Sequence, residues 1–163
     1  MEQTMIFSCD IETDGLDPTV VWCIVCQNVE RPDQRYVFPH TYDYMWIDMQ
    51  NSDDYVHFNE WLNRGYVNKL VFHNGIGYDV PVLEKLLGTD FSGVQIEDTM
   101  IMSQLVSPNR EGGHSLASWG ERLGFEKGDY SDWTHYTKEM LDYCIRDVEV
   151  TTKLYLHLAD AVR

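Results

Sequence analysis

Basic residues are scarce in this chain. Twelve Lys and Arg stand against 27 Asp and Glu, for a formal net charge of −15. Such a field repels a polyanion at long range, which weighs against any nucleic-acid binder that relies on electrostatic steering. Two bound divalent cations would offset only part of it. No apolar run approaches the roughly 20 residues that cross a bilayer, and the N-terminus lacks a signal-peptide pattern. Cysteine is sparse as well. Of the four, Cys23 and Cys26 form a CxxC, but the residues around them read as a strand, where positions three apart face opposite ways. No second CxxC completes a zinc site. Neither a disulfide framework nor structural zinc is expected, and a reducing, cytoplasmic setting follows. Internal repeats, low-complexity tracts and linkers are also missing.

What remains is globular: 44% apolar and 13% aromatic residues over a length of 163. That is enough for one domain, residues 1–163, with a real core. The run from Thr4 to Cys9, ending at Asp10, reads as a buried strand. Val20 to Val29 and Arg35 to Phe38 read as two more, and connections this short imply antiparallel hairpins. Ser52 to Leu62 has a helical pattern with a cap at Ser52 or Asp53. Lys69 to Phe72 is a brief strand entering the loop His73-Asn74-Gly75-Ile76-Gly77, with a helix from about Tyr78 to Leu87 behind it. Val94 to Ile96, a helix from Asp98 to Val106, and a helix capped by Ser115 and stopped at Gly124 follow. From about Thr134 to the C-terminus the pattern is free of Gly and Pro and predicts a long helix. Hairpins followed by strand–helix alternation predict a three-layer α/β domain with a mixed sheet.

Acidic residues occur where such a sheet places chemistry. Asp10 and Glu12, two apart at a strand end, share a face. Asp79 opens a helix after a glycine-rich loop. On the last helix, Tyr143 and Asp147 are four apart and project together. Taken singly each has an ordinary reading: a turn acid, a helix N-terminal acid, a solvated helix face. Together they form an oxygen-only donor set suited to Mg²⁺ or Mn²⁺. Without cations, some of these carboxylates would have to take up protons. Two divalent ions roughly 3.5–4 Å apart would resolve that, and such pairs support in-line phosphodiester cleavage. Tyr143, with an ordinary phenol pKa near ~10, would orient the attacking water rather than deprotonate it.

Spacing alone does not bring these segments together. The ordered set Asp10-Ile11-Glu12-Thr13, Phe72-His73-Asn74-Gly75 through Tyr78-Asp79, and Tyr143 with Asp147 resembles the three motifs of DEDDy exonucleases in the DnaQ-like superfamily. Asp98-Thr99-Met100, Gly113-His114-Ser115-Leu116 and Lys127-Gly128-Asp129-Tyr130 extend the likeness, which is greatest toward the proofreading domain of phage family A DNA polymerases. It implies a ribonuclease H-like three-layer fold with a mixed five-stranded sheet flanked by helices. It also implies two-metal 3′–5′ hydrolysis of single-stranded DNA ends, releasing nucleoside 5′-monophosphates. By position, Asp10, Glu12, Asp79 and Asp147 become metal ligands and Tyr143 the water-orienting group. Thr13 and Leu16 become contacts to the terminal nucleotide, Leu16 as an apolar wedge against its base, and Asn74 becomes a substrate contact. No polymerase module follows the last motif, so the expectation is a stand-alone enzyme or an excised domain, with a polymerase or other replication protein as partner. If phage-encoded, it would work in the cytoplasm of an infected cell.

Few cations are left to meet phosphates, and Lys127, Lys138 and Arg146 are the nearest in sequence. Modest affinity and low processivity are therefore expected. Trp133, in the loop entering the last helix, is a candidate substrate contact. His114 reads as structural or capping, and His73 as a loop hydrogen bond. The aromatics Tyr42, Tyr44 and Trp46 read as a half-buried strand or hairpin rather than a base-stacking platform. Two rival readings stand beside the nuclease: a catalytically silent module of the same fold that binds nucleic acid or protein, and an exoribonuclease.

Overall fold

The computed structural model describes residues 5–39, 46–48 and 55–161. A central strand, β1 (Ile6–Thr13), pairs antiparallel with β2 (Val21–Asn28) on one side and parallel with β6 (Lys69–Phe72) on the other. β3 (Arg35–Pro39) continues the antiparallel side, and β7 (Gln95–Asp98) the parallel side. These five strands are the mixed sheet expected from the sequence. Two short strands, β4 (Trp46–Asp48) and β5 (Tyr55–Val56), extend its β3 edge and complete the order β5-β4-β3-β2-β1-β6-β7. Tyr42, Tyr44, Ser52 and Asp53 lie outside the described residues.

Alternation along the strands builds two cores. Phe7, Cys9 and Ile11 of β1 join Ile24 and Cys26 of β2 on one face. There they meet α1 (Phe58–Leu62) and α2 (Asp79–Leu87) through Trp61, Leu62, Val82 and Leu83. On the other face, Cys23 and Val25 meet Cys144 and Val148 of α5 (Lys138–Ala161). α3 (Thr99–Val106) and α4 (Leu116–Leu123) flank α5 through Met102 and Trp119, which pack with Leu154 and Leu158. The result is a helix–sheet–helix sandwich. Cys23 and Cys26 do point to opposite faces, and all four cysteines are free and buried. No helix among the described residues is long and apolar enough to cross a membrane.

Three boundaries differ from expectation. β1 runs on through both acids to Thr13, because Asp10 and Glu12 alternate out of the apolar face instead of ending the strand. The first helix begins at Phe58 and not near Ser52: Tyr55 and Val56 are spent on pairing with β4, and His57 Nδ1 caps the helix by accepting the Asn59 N–H at 2.9 Å. α5 begins at Lys138, some residues after Thr134, because Asp132 captures the Thr134 N–H and hydroxyl while Thr137 Oγ1 accepts the Met140 N–H at 3.1 Å. A threonine in that position satisfies one of the orphan donors of a helix start.

Candidate active site

Strand parity decides which way the acids of β1 face. Even-numbered residues look toward α5: the Ser8 hydroxyl is hydrogen-bonded to Thr152, and Asp10 meets Cys144, whose Sγ is 3.5 Å from the Asp10 carbonyl oxygen. A bulge between Glu12 and Thr13 then bends the strand at the mouth of a cleft; bulges re-aim side chains in this way. Asp79 enters at the first residue of α2, and Tyr143 and Asp147 descend from α5. Asp10, Glu12, Asp79, Tyr143 and Asp147 all line this one cleft, of about 500 Å³.

The electrostatics are those of buried acids crowded together, with Lys127 as a partial counter-charge. Burial, then repulsion from Glu12, Asp147 and Asp79, holds the Asp10 carboxyl well above the ordinary range. Glu12 is pushed to about 8 by burial and the Asp147 charge, even though it accepts a hydrogen bond from Asp10. Burial raises Asp79 to about 7, against hydrogen bonds from its own backbone and that of Ile11. Burial takes Asp147 to about 6, opposed by Lys127. Asp147 Oδ1 is buried and has no hydrogen-bond partner among the described residues. An orphaned buried carboxylate oxygen is costly. Donor atoms of Asp10, Glu12 and Cys144 lie within 4.8 Å of one another, a spacing that can hold an ion. Hard carboxylate oxygens, one of them unsatisfied, fit Mg²⁺ or Mn²⁺.

Tyr143 is raised above the ordinary phenol range by burial, so it is protonated at neutral pH. Its ring is edge-on to Trp133 at 5.7 Å and tilted against Tyr130 at 6.0 Å. Trp133 lines the cleft and also an apolar nook beside it, formed with Ile11, Thr13, Gly15, Leu16 and Tyr78. Leu16 stands 96% exposed at the rim of both. Thr13 is buried, its Oγ1 2.6 Å from the Tyr78 hydroxyl. Asn74 adopts φ 64° and lines the cleft from the loop before α2.

Sequence reasoning missed or misplaced several residues. Tyr78, immediately before Asp79, was given no role, yet it forms the nook wall. Asp98, read only as a helix start and as part of the resemblance, ties down the loop carrying Asn74 by accepting the N–H groups of Asn74 and Ile76. Of the three cations nearest in sequence, only Lys127 lines the cleft. Lys138 pairs with Asp142 on the surface at 3.2 Å. Arg146 donates to the Glu126 carbonyl at 2.6 Å. His73 is hydrogen-bonded to Thr99 at 2.8 Å and His114 to Ser103 at 2.6 Å. Ser115 caps α4 as expected, accepting the Ser118 N–H at 3.1 Å, and the role of His114 is the structural one.

Known proteins resemble this chain in sequence or in fold. The DNA-directed DNA polymerases of Escherichia phage T7 and Enterobacteria phage T3 are each 33% identical over 126 residues, covering 52% of this chain and 18% of theirs. The chain thus spans less than a fifth of the curated relatives it matches. Among solved structures, Brucella melitensis NrnC with bound Mg²⁺ superposes with a TM-score of 0.71 at 21% identity, over 99% of this chain and 75% of that one. Phi29 DNA polymerase complexed with primer-template DNA gives 0.60 at 15%, over 99% and 32%. These two likenesses are of fold. The family model described as 3′–5′ exonuclease matches residues 1–163, and the chain belongs to that family of enzymes.

Proposed function

We propose that residues 1–163 form a divalent-metal-dependent exonuclease domain of the DEDDy type. It removes nucleoside 5′-monophosphates from the 3′ end of single-stranded DNA, alone or as the proofreading part of a polymerase. The observation that carries this reading is the convergence of four acids from three separate elements on one cleft, with Asp147 Oδ1 left without a partner. Asp10, Glu12, Asp79 and Asp147 would hold the ions. A bound pair of Mg²⁺ or Mn²⁺ would supply water activation and neutralise charge at the leaving oxygen.

The remaining steps belong to the chain itself. Leu16 wedges against the terminal base, and the Thr13–Tyr78 nook and Trp133 receive the nucleotide. Asn74 approaches it from the loop before α2, where the left-handed backbone turns the chain toward the cleft. Tyr143, held in its protonated form, hydrogen-bonds the attacking water and aims it at phosphorus. An exoribonuclease is the second reading, since NrnC, a neighbour in fold, has been captured bound to pGG.

The test is incubation of 5′-labelled DNA and RNA strands of matched sequence with Mg²⁺ or Mn²⁺. The expected result is a ladder shortening stepwise from the 3′ end of DNA, abolished by Asp10→Ala with Glu12→Ala. Preferential shortening of RNA supports the second reading. No shortening of either strand makes the domain a silent binding module.

A further inference from the structure

We propose that Trp22 is a positioning residue of the site: its indole N–H, donated to the Trp133 carbonyl, holds the Trp133 ring where the 3′-terminal base stacks. The inference rests on the nuclease reading above. Its starting point is the bulge at the end of β1. Along the β1–β2 ladder Cys23 opposes Glu12 and Val21 opposes Thr13, so the register passes over Trp22. Val21 and Ile24 both pack on the face of α1 and α2, while Cys23 packs against α5. Two residues, instead of one, thus separate two side chains of the same face. The extra residue of a bulge leaves the ladder, and its side chain is re-aimed. Trp22 reaches the loop before α5, where its Nε1 donates to the Trp133 carbonyl oxygen at 3.0 Å.

One wall of the site hangs from that bond. Trp133 lines both the cleft and the apolar nook. Its ring stands edge-on to Tyr130 at 5.0 Å and to Tyr143 at 5.7 Å. Tyr130 closes the trio by tilting against Tyr143 at 6.0 Å, and its hydroxyl lies 2.7 Å from Thr137 Oγ1. The stretch from Phe125 to Thr137 belongs to neither helix nor strand, so no ladder fixes Trp133 in place. Trp22 ties this stretch to the rigid sheet, at the same bend that brings Glu12 to the cleft.

A stacking wall works best when it is set before the strand arrives, because ordering it on binding subtracts from affinity. The tie sets it. Acid, phenol and base wall keep one register, since the bulge positions the first and, through Trp22, the last, whose ring abuts the phenol. Without the N–H, the loop carries the Trp133 ring away from the nook, and the terminal base loses its stacking partner.

Trp22→Phe in the full chain keeps a ring and removes the donor, Trp133→Ala removes the wall, and the two combined show whether one acts through the other. Two readouts are needed. One is kcat/KM on a single-stranded oligodeoxynucleotide. The other is quenching of 2-aminopurine deoxynucleoside 5′-monophosphate, a fluorescent product analogue whose binding requires no turnover. Trp22→Phe is expected to lower kcat/KM by about fivefold, the scale of one net hydrogen bond, and to weaken the analogue's binding severalfold. In the Trp133→Ala background the same substitution should change either readout by less than about twofold, the mark of two residues acting as one unit. If Trp22→Phe does not fold, the tryptophan analogue with sulfur in place of the ring N–H takes its position under the same criteria. Two results overturn the inference while sparing the nuclease reading. One is a Trp22 variant that changes neither readout. The other is an equal fall with and without the Trp133 ring, which marks a tryptophan that serves packing alone. No nucleotide release by the unaltered chain overturns both.

Discussion

The Tyr78 hydroxyl lies 2.6 Å from Thr13 Oγ1 and donates to the Gly15 carbonyl at 2.6 Å, so one phenol spans the end of β1 and the turn that carries Leu16. Tyr78 directly precedes Asp79, so the apolar nook and the acidic cluster share one stretch of backbone. Tyr78→Phe removes the tie while keeping the ring. The expected cost to stability is about 1 kcal/mol. The KM for a single-stranded end should rise severalfold while kcat stays within about twofold, the pattern of lost uniform binding. A fall in kcat with KM unchanged would contradict the assignment of this side of the site to nucleotide binding.

Stability of the metal-free protein should decline as pH rises above the ordinary carboxylate range. The cluster acids hold their protons more tightly folded than unfolded, so proton binding favours the fold. Their contribution is full below about pH 4, the ordinary carboxylate value. It is lost as pH rises through about 6 for Asp147, about 7 for Asp79 and about 8 for Glu12. Melting temperature in EDTA, followed across that window, should fall, and Glu12→Gln should flatten the upper part of the curve. A melting temperature that climbs with pH there would contradict the crowding of the acids.

Asp98 should matter more than a surface acid. Its Oδ1 accepts the N–H groups of Asn74 at 2.8 Å and Met100 at 2.9 Å, and Oδ2 accepts that of Ile76 at 3.2 Å. The first two bonds fix the cleft loop and cap α3 with one oxygen. Asp98→Ala strands all three donors and should cost at least about 2 kcal/mol in chemical unfolding. Asp98→Asn keeps an acceptor for Asn74 and Met100 but turns a donor toward Ile76, so it should lose less than Asp98→Ala. Equal stability of both variants with the unaltered chain would show that the loop is held by something else.

Strand binding should respond weakly to salt. With Lys127 alone lining the cleft among Lys and Arg of the described residues, the slope of log affinity against log salt should be near ~−0.7, the value for one phosphate contact on a single strand. A slope of roughly −3 or steeper would reveal a basic track elsewhere and contradict the acidic-surface argument.

Much of this was legible in the chain because local chemistry marked it. β6 has the bounds its apolar run announced, and α4 is delimited by Ser115 and by Gly124, whose φ of 70° suits a helix C-terminus. The acids could be listed from their motifs, but their convergence depends on β1 lying against α5, a contact between segments more than a hundred residues apart. Lys127 shows the limit most plainly. Distance along the chain put it level with Lys138 and Arg146, and only packing against α4 and α5 turns it inward while Arg146 is spent holding the segment. Cys144 was equally silent: one residue after Tyr143 it looks like core, and it is core, yet its thiol touches Asp10.

A Mn²⁺ titration of the metal-free chain, counting bound ions by electron paramagnetic resonance, tests the central claim most directly. The account predicts saturable binding of a spin-coupled pair of ions per chain, lost when Asp10→Ala is combined with Glu12→Ala. Binding that is absent, or that survives this double substitution, would contradict it.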